Sequence, residues 1–143
     1  MTDSVFKRNT VGFFATEQHL KPKRKTTGSA GYDFKAPETV VIPAHKFIRF
    51  DSGVKVRMRP GFVLKLYIRS SLGNRGIVLT NAVGIIDSDY KDTVQAMLLN
   101  LTDEDYTLYK GDHYMQGIFE RYYLTDNDDA DGIRNGGLGS TGR

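Results

Sequence analysis

Apolar and polar residues alternate along most of this chain, a pattern typical of β-strands with one buried face. In FVLKLYI, residues 62–68, every second residue from Phe62 onward is a large apolar one. KFIRF at 46–50 and VKVRM at 54–58 show the same period of two. Strands are predicted at residues 11–15, 31–36, 39–42, 46–50, 54–58, 62–68, 77–80, 93–99 and 114–120.

Helical periodicity is weak in this sequence. No stretch carries an apolar stripe over three helical turns, so we predict only a short helix, around residues 70–74. Glycine, proline and Asp/Asn/Ser clusters separate the strands, as in sandwiches and barrels. A chain of 143 residues with 39% hydrophobic content can close one core. The predicted fold class is therefore all-β.

The composition of the chain changes after Leu124, where apolar residues become too few to stabilise a packed helix or strand. We predict a β-domain over residues 1–125 and a flexible C-terminal arm over residues 126–143. The arm begins with the acidic run DNDDAD and ends in RNGGLGSTG before the final arginine. A glycine-rich run with hydroxyls and a cation suits a phosphate group, although the lysine that a P-loop requires is absent.

Charge and cysteine content exclude several classes of function. Lys and Arg exceed Asp and Glu by 20 to 17, and KPKRK at residues 21–25 concentrates the positive charge. This excess is only a weak indication of a polyanionic partner. No cysteine is present, which rules out disulfides, thiolate metal sites and cysteine nucleophiles. Neither a signal peptide nor a membrane-spanning run is recognisable, so we expect a soluble intracellular protein.

The histidines do not indicate a catalytic or metal site. His19, His45 and His113 include no pair at i, i+4, and none has a context that favours a Ser-His-Asp triad. The carboxylates are more informative. In VGIIDSDYKD, residues 83–92, an apolar pair leads into Asp87, and a carboxylate held there could take a proton from water. A plain hairpin turn explains the same stretch.

Five segments, in order, resemble the motifs of the homotrimeric dUTP pyrophosphatases, or dUTPases. RSSLG and GDHYMQ have the character of anion sites, yet each alone is weak. The joint order and spacing over nearly the whole chain carry the resemblance. The segments are GSAGYDFKAP (28–37), RSSLG (69–73), TNAVGIIDSDYKD (80–92), GDHYMQ (111–116) and RNGGLGSTG (134–142).

The resemblance implies a distorted jelly-roll β-barrel of the β-clip type and a homotrimer with shared active sites. Motifs one, two and four would come from one subunit, motif three from a second and the arm from a third. The implied reaction is hydrolysis of dUTP to dUMP and pyrophosphate, with Mg²⁺ held by the phosphates and water. Such an enzyme limits uracil in DNA and supplies dUMP for thymidylate synthesis. We expect no direct nucleic-acid binding, and a cytoplasmic, nuclear or, for a virus, host-cytoplasmic location.

The resemblance also implies a role for each matching residue. Asp87 corresponds to the aspartate that activates the attacking water, and Tyr90 to the ring that leaves no space for a 2′-hydroxyl. Asp33 would act on the metal through water, without a direct bond. The uracil contacts would be Asn81, Gly84 and Ile86; the phosphate contacts would be Arg69, Ser70, Ser71 and Gln116; and the arm would supply Arg134, Leu138, Gly139, Ser140 and Thr141.

Three positions depart from the family pattern. Leu138 stands where an aromatic normally stacks on uracil, a contact worth about 1–3 kcal/mol, so we expect weaker closure with activity retained. His113 replaces a common arginine, and Asp92 a frequent glycine. The alternatives are a dUTPase-like regulatory protein that binds nucleotide to control a protein partner, favoured only by the altered arm, and a dCTP deaminase of the same fold, which the intact Asp87 and Tyr90 pattern disfavours.

Overall fold

The structure is a computed structural model that describes residues 6–135. In that range it contains eleven strands, one short α-helix (α1) and one 3₁₀ turn, Gln18–Leu20. The strands are β1 Gly12–Ala15, β2 Tyr32–Lys35, β3 Val40–Ile42, β4 Phe47–Asp51, β5 Lys55–Met58, β6 Phe62–Ile68, β7 Ile77–Leu79, β8 Gly84–Ile86, β9 Gln95–Asn100, β10 Tyr106–Leu108 and β11 His113–Arg121, with α1 at Ser70–Gly73 between β6 and β7.

All the strand pairs in residues 6–135 are antiparallel, and each joins strands that are not consecutive in the chain. A four-stranded sheet has the order β2-β11-β6-β8, and a three-stranded sheet has the order β4-β9-β7. Two further pairs are β1-β5 and β3-β10. This arrangement confirms the all-β prediction and is consistent with a jelly roll. Across residues 6–135 the four sheets are separate, so their hydrogen bonds do not close one continuous barrel.

The core forms where the alternating strands turn their apolar faces inward. Along β9 the residues alternate between half-buried and buried, and Leu98 is fully buried. Phe34 and Tyr114 are also fully enclosed. Burying each such side chain contributes about 1.5–3 kcal/mol. On the central strand β11, Met115 and Gly117 are buried on the core side, and half-buried Gln116 between them lies on the opposite, free face.

All nine predicted strands and the short helix are present, with boundaries shifted by at most two residues. Two strands, β8 and β10, were not predicted as strands. Each has only three residues, too few to display a period of two, and both follow sequence rich in turn-forming residues. No helix in residues 6–135 is long and apolar enough to cross a membrane.

Asn100 is a buried polar residue that ties three segments together. Its Nδ2 donates to the carbonyls of Ile42 and Glu104, at 2.9 and 2.7 Å. Its Oδ1 accepts from the backbone N–H of Thr102 at 2.9 Å and from the hydroxyl of the same residue at 2.7 Å. The Asn100 side chain is fully enclosed, and its amide is fully hydrogen-bonded there.

We therefore expect Asn100→Leu to lower the free energy of unfolding by about 3 kcal/mol, because it removes all four hydrogen bonds of a fully enclosed amide. Urea denaturation followed by circular dichroism would measure this change. Gln95→Leu, at the half-buried start of the same strand, is the control and should change stability by less than about 1 kcal/mol. Equal effects of the two substitutions would contradict the role given to Asn100.

Candidate active site

Residues of three predicted motifs meet on the free face of the four-stranded sheet. In the strand register Gln116 of β11 lies opposite Asp33 of β2 on one side and opposite Tyr67 of β6 on the other. Opposed residues share a face, so these three side chains form a row. Arg69 follows β6 directly, and its Nε lies 3.1 Å from Oδ1 of Asp33. The sheet thus brings together one carboxylate, one guanidinium and one amide.

The helix α1 places the two motif-two serines at the edge of this cluster. Leu72 is buried and anchors the helix in the core. Ser70 and Ser71 are both exposed. The backbone N–H groups of Leu72 and Gly73 donate to the carbonyl of Arg69, at 3.0 and 2.9 Å. Arg69 is therefore held by its backbone, and its side chain extends beside two hydroxyls that can donate to an anion.

Gly31 makes room for Gln116, a relation that the sequence did not reveal. A Cβ at position 31 would lie 2.3 Å from Oε1 of Gln116. The Gln116 side chain therefore rests on the backbone of Gly31, where only glycine leaves space. The two residues are 85 positions apart in sequence, and they meet because β2 and β11 are neighbours, with Gln116 opposite Asp33, two residues after Gly31.

His113 and Asp112 lie next to this cluster in the sequence, and each is influenced by its immediate surroundings. Desolvation lowers the pKa of His113, and the nearby Arg69, Lys35 and Lys25 act in the same direction, while Asp33 opposes them. Asp112 accepts a hydrogen bond from the backbone N–H of Tyr109 at 2.9 Å. Asp112 is thus a turn residue before β11.

The predicted base Asp87 lies immediately after β8 and is exposed. The turn that follows is closed by a bond from the N–H of Tyr90 to the carbonyl of Asp87, at 3.1 Å. Tyr90 is only 6% exposed, and its hydroxyl donates to the carbonyl of Thr93 at 2.7 Å. Burial raises the pKa of Tyr90, with the charges of Asp92 and Asp51 adding to the effect. A fixed ring thus stands beside a solvent-facing carboxylate.

The three predicted uracil contacts occupy the hairpin that enters β8. Asn81 is exposed, and its carbonyl accepts the N–H of Val83 at 2.6 Å in a tight turn. Gly84 is buried, and a Cβ there would lie 2.9 Å from Leu66, so close strand packing alone requires glycine. Ile86 points into the core at 7% exposure. Only Asn81 of the three presents its side chain to solvent.

Arg134 of the arm lies across the acidic end of β8. Its Nη2 is 2.5 Å from Oδ2 of Asp87, and its Nε is 2.7 Å from Oδ1 of Asp89. The Arg134 side chain is 11% exposed, against 52% for Asp87 and 57% for Asp89. The hydrogen bond to Asp89, together with the charge of Asp87, raises the pKa of Arg134. Asp89 was not among the predicted site residues; its only sequence signal was its place in motif three.

Within one chain the two clusters lie far apart. Leu64 of β6 pairs with Ile86, so Asp87 lies near Val63, whereas Arg69 lies six residues further along the chain, just past the end of β6. At about 3.3 Å per residue, this separation is roughly 20 Å. Leu138, Gly139, Ser140 and Thr141 lie outside the described residues. In residues 6–135 no group of three His, Asp or Glu could hold a metal directly.

Comparisons with known proteins agree on one family. The dUTPase family model matches residues 18–142. The chain is 39% identical over 130 residues to a deoxyuridine 5′-triphosphate nucleotidohydrolase of Lactococcus lactis, covering 85% of this chain and 87% of that protein. It is 37% identical over 134 residues to the enzyme of the same name from Paramecium bursaria Chlorella virus 1, covering 88% and 92%.

Solved structures give the same result. The crystal structure of a dUTPase from Streptococcus mutans has a TM-score of 0.75 and 37% identity, covering 80% of this chain and 99% of that one. A Staphylococcus bacteriophage 80alpha dUTPase has a TM-score of 0.74 at 18% identity, covering 89% and 99%. At that identity the likeness to the phage protein concerns the fold alone.

Proposed function

This chain belongs to the dUTPase family, and we propose that it hydrolyses dUTP to dUMP and pyrophosphate. The observation that carries the proposal is Asp87, an exposed carboxylate presented at the end of β8 beside the fixed ring of Tyr90. Removing dUTP would limit uracil in DNA, and the dUMP formed would supply thymidylate synthesis.

In the proposed reaction Asp87 accepts a proton from a water molecule as its oxygen attacks the α-phosphorus. The new bond joins the water oxygen to phosphorus, and the bond from phosphorus to the bridging oxygen of pyrophosphate breaks. Arg69, Ser70, Ser71 and Gln116 would donate to the phosphate oxygens and stabilise the charge that builds on the leaving group. Tyr90, held by Thr93, would exclude a 2′-hydroxyl.

The site must be shared between subunits if both clusters act on one nucleotide. An attacking water has to lie about 3–3.5 Å from phosphorus, but Asp87 and Arg69 of one chain are roughly 20 Å apart along the sheet. A second subunit can supply Asp87 to the Arg69 cluster of the first. This separation supports a homotrimer with shared sites, and a scattering mass three times that of the chain would test it.

Arg134 binds the carboxylate that we propose as the catalytic base. The guanidinium of Arg134 occupies Oδ2 of Asp87, so this oxygen cannot bind a water molecule while the contact lasts. A triphosphate is a stronger partner for a guanidinium than one carboxylate. We propose that nucleotide binding draws Arg134 to the terminal phosphate and so frees Asp87 for water.

We further propose that the reaction depends on Mg²⁺. The described residues offer no direct set of protein ligands, so the triphosphate itself would hold the metal. One oxygen of Asp33 is engaged by Arg69, and the other can accept a bond from a metal-bound water. The bound cation would neutralise phosphate charge. Chelation with EDTA should abolish turnover, and added Mg²⁺ should restore it.

Substrate discrimination tests the proposed function. Purified protein should release pyrophosphate from dUTP and have little activity on UTP or dTTP, because the pocket is expected to reject a 2′-hydroxyl and a 5-methyl group. Ammonia release from dCTP would instead identify a deaminase. Nucleotide binding without turnover would favour the regulatory alternative, whose one motive in this chain is Leu138 in the arm.

The contact between Gly31 and Gln116 leads to a prediction. Gly31→Ala should raise the KM for dUTP about tenfold, the loss expected when one hydrogen bond to a charged phosphate is removed. The displaced atom is the end of a flexible side chain, so the melting temperature should change little. Gly28→Ala, where a Cβ meets nothing within 4 Å, is the control and should leave KM unchanged. An unaltered KM in Gly31→Ala would contradict the role of this contact.

A further inference from the structure

The basic run at residues 21–25 is attached to the phosphate cluster by a specific backbone contact. Lys23 forms an isolated antiparallel bridge with Asp33. The N–H of Asp33 donates to the carbonyl of Lys23 at 2.9 Å, and the N–H of Lys23 donates back at 3.4 Å. The two residues therefore form a hydrogen-bonded pair, whose Cα atoms lie about 5.5 Å apart. The run adds a fourth position to the row of Tyr67, Gln116 and Asp33.

Because paired residues share a face, the Lys23 side chain extends on the same side of the sheet as Asp33 and Gln116. Asp33 directs its own N–H and C=O toward Lys23, so its pairing with Gln116 is of the close, non-hydrogen-bonded type. Gln116, Asp33 and Lys23 thus follow one another across three neighbouring strands. Lys23 lies at the outer end, next to the carboxylate that binds Arg69.

The charge of Lys23 is uncompensated within the part of the chain that the structure describes. Asp33, its neighbour, is paired with Arg69. No ion pair or hydrogen bond joins the Lys23 ammonium to any of residues 6–135, and the side chain is exposed. A flexible stem with a point charge at its end suits an anion whose position is set by other groups.

Three neighbours of Lys23, namely Lys21, Pro22 and Arg24, have contacts of their own elsewhere in the structure. Pro22 is buried and fixes the start of the bridge. The Nη1 of Arg24 donates to the carbonyls of Thr27 and Ser29, at 2.8 and 3.1 Å, and so closes the following loop. Lys21 lines a separate cavity of about 460 Å³ beside Phe14 and Tyr32. Lys23 is the residue of the run whose backbone bridges to Asp33, so its side chain is placed directly beside the Asp33 row.

We propose that Lys23 is a further substrate-binding residue, which contacts the pyrophosphate portion of the nucleotide beside Arg69 and Gln116. This inference rests on the proposed function. Lys23 would act in binding and in holding the leaving group, without taking a proton. If the contact is confined to the β- and γ-phosphates, its loss should weaken the binding of dUTP and pyrophosphate and leave the binding of dUMP unchanged.

The test compares Lys23→Gln with Lys21→Gln, which makes the same change of charge two residues away. For Lys23→Gln we expect an increase of about tenfold in the KM for dUTP and in the inhibition constant of pyrophosphate. The inhibition constant of dUMP should stay within about twofold. Lys21→Gln should leave all three constants within that range, and Lys23→Arg should recover most of the affinity.

Three results would overturn the assignment. The first is an unchanged KM for dUTP in Lys23→Gln. The second is a loss of dUMP affinity as large as that of pyrophosphate. The third is an equal loss of dUTP affinity in Lys21→Gln, which would indicate a non-specific effect of positive charge that added salt weakens. Calorimetry with a non-hydrolysable dUTP analogue separates this proposal from the proposed function. If the unaltered protein binds the analogue without turnover, hydrolysis fails as its function, while the binding role of Lys23 is still decided by the loss of affinity in Lys23→Gln.

Discussion

Replacing Asp87 by asparagine is expected to lower kcat for dUTP hydrolysis by about 10²–10⁴-fold, the usual contribution of a general base. Asparagine keeps the size and exposed position of the side chain but cannot take a proton from water. The fold should persist, because Asp87 is exposed and its backbone carbonyl, not its carboxylate, closes the turn to Tyr90. Pyrophosphate release under saturating dUTP measures kcat, and calorimetry with a non-hydrolysable analogue measures binding.

Asp89→Asn is the matched control for this prediction. Asp89 carries the same charge, lies two residues away and binds the same guanidinium at 2.7 Å. If Asp87 is the base, Asp89→Asn should change kcat by less than about fivefold. Equal losses in the two variants would show that Asp87 matters only as an anchor for Arg134. A normal kcat in Asp87→Asn would remove it from the base role altogether.

Truncating the chain after Asp131 is expected to lower kcat/KM by at least about 10²-fold, the loss typical when donors to a charged reacting group are removed. The deletion removes Arg134, together with the glycine-rich segment predicted to bind the phosphates. It should leave the β-domain intact, because residues 122–133 are exposed and contribute little to the core. Circular dichroism and scattering mass should match those of the full chain.

Arg134→Gln in the full-length chain separates the arginine from the rest of the arm. We expect this substitution to lower kcat/KM at least tenfold, since a guanidinium bond to phosphate is charge-assisted. Full activity in the truncated protein would contradict the assignment of phosphate contacts to the arm. A truncated protein that is unfolded, or has a lower mass, would show that the arm is a structural element.

The sequence predicted the long strands well because their physical cause is local. In β6 the core residues Leu64 and Leu66 flank Lys65, so the alternation is visible in the residues themselves. β8 and β10 have three residues each, and their pairing with β6 and β3 decides their structure. Local pattern cannot reveal pairing between distant segments.

The candidate site, too, has one part that the sequence predicted and one part that only the structure shows. The motif residues were recognisable by order and spacing, but the contacts that position them are non-local. Gly31 touches Gln116, Lys23 bridges to Asp33, and Arg134 pairs with Asp87 from 47 residues away. These contacts depend on strand register and on the path of the arm. Neither can be inferred from the local residue pattern of one sequence. The subunit arrangement and the contribution of Leu138 stay predictions.

Pyrophosphate release from dUTP by the purified protein in the presence of Mg²⁺ tests the central claim most directly. We predict equimolar dUMP and pyrophosphate, with turnover abolished by EDTA and strongly reduced in Asp87→Asn. A preparation that binds a non-hydrolysable dUTP analogue but releases neither product from dUTP would contradict the claim that this chain is a dUTP-hydrolysing enzyme.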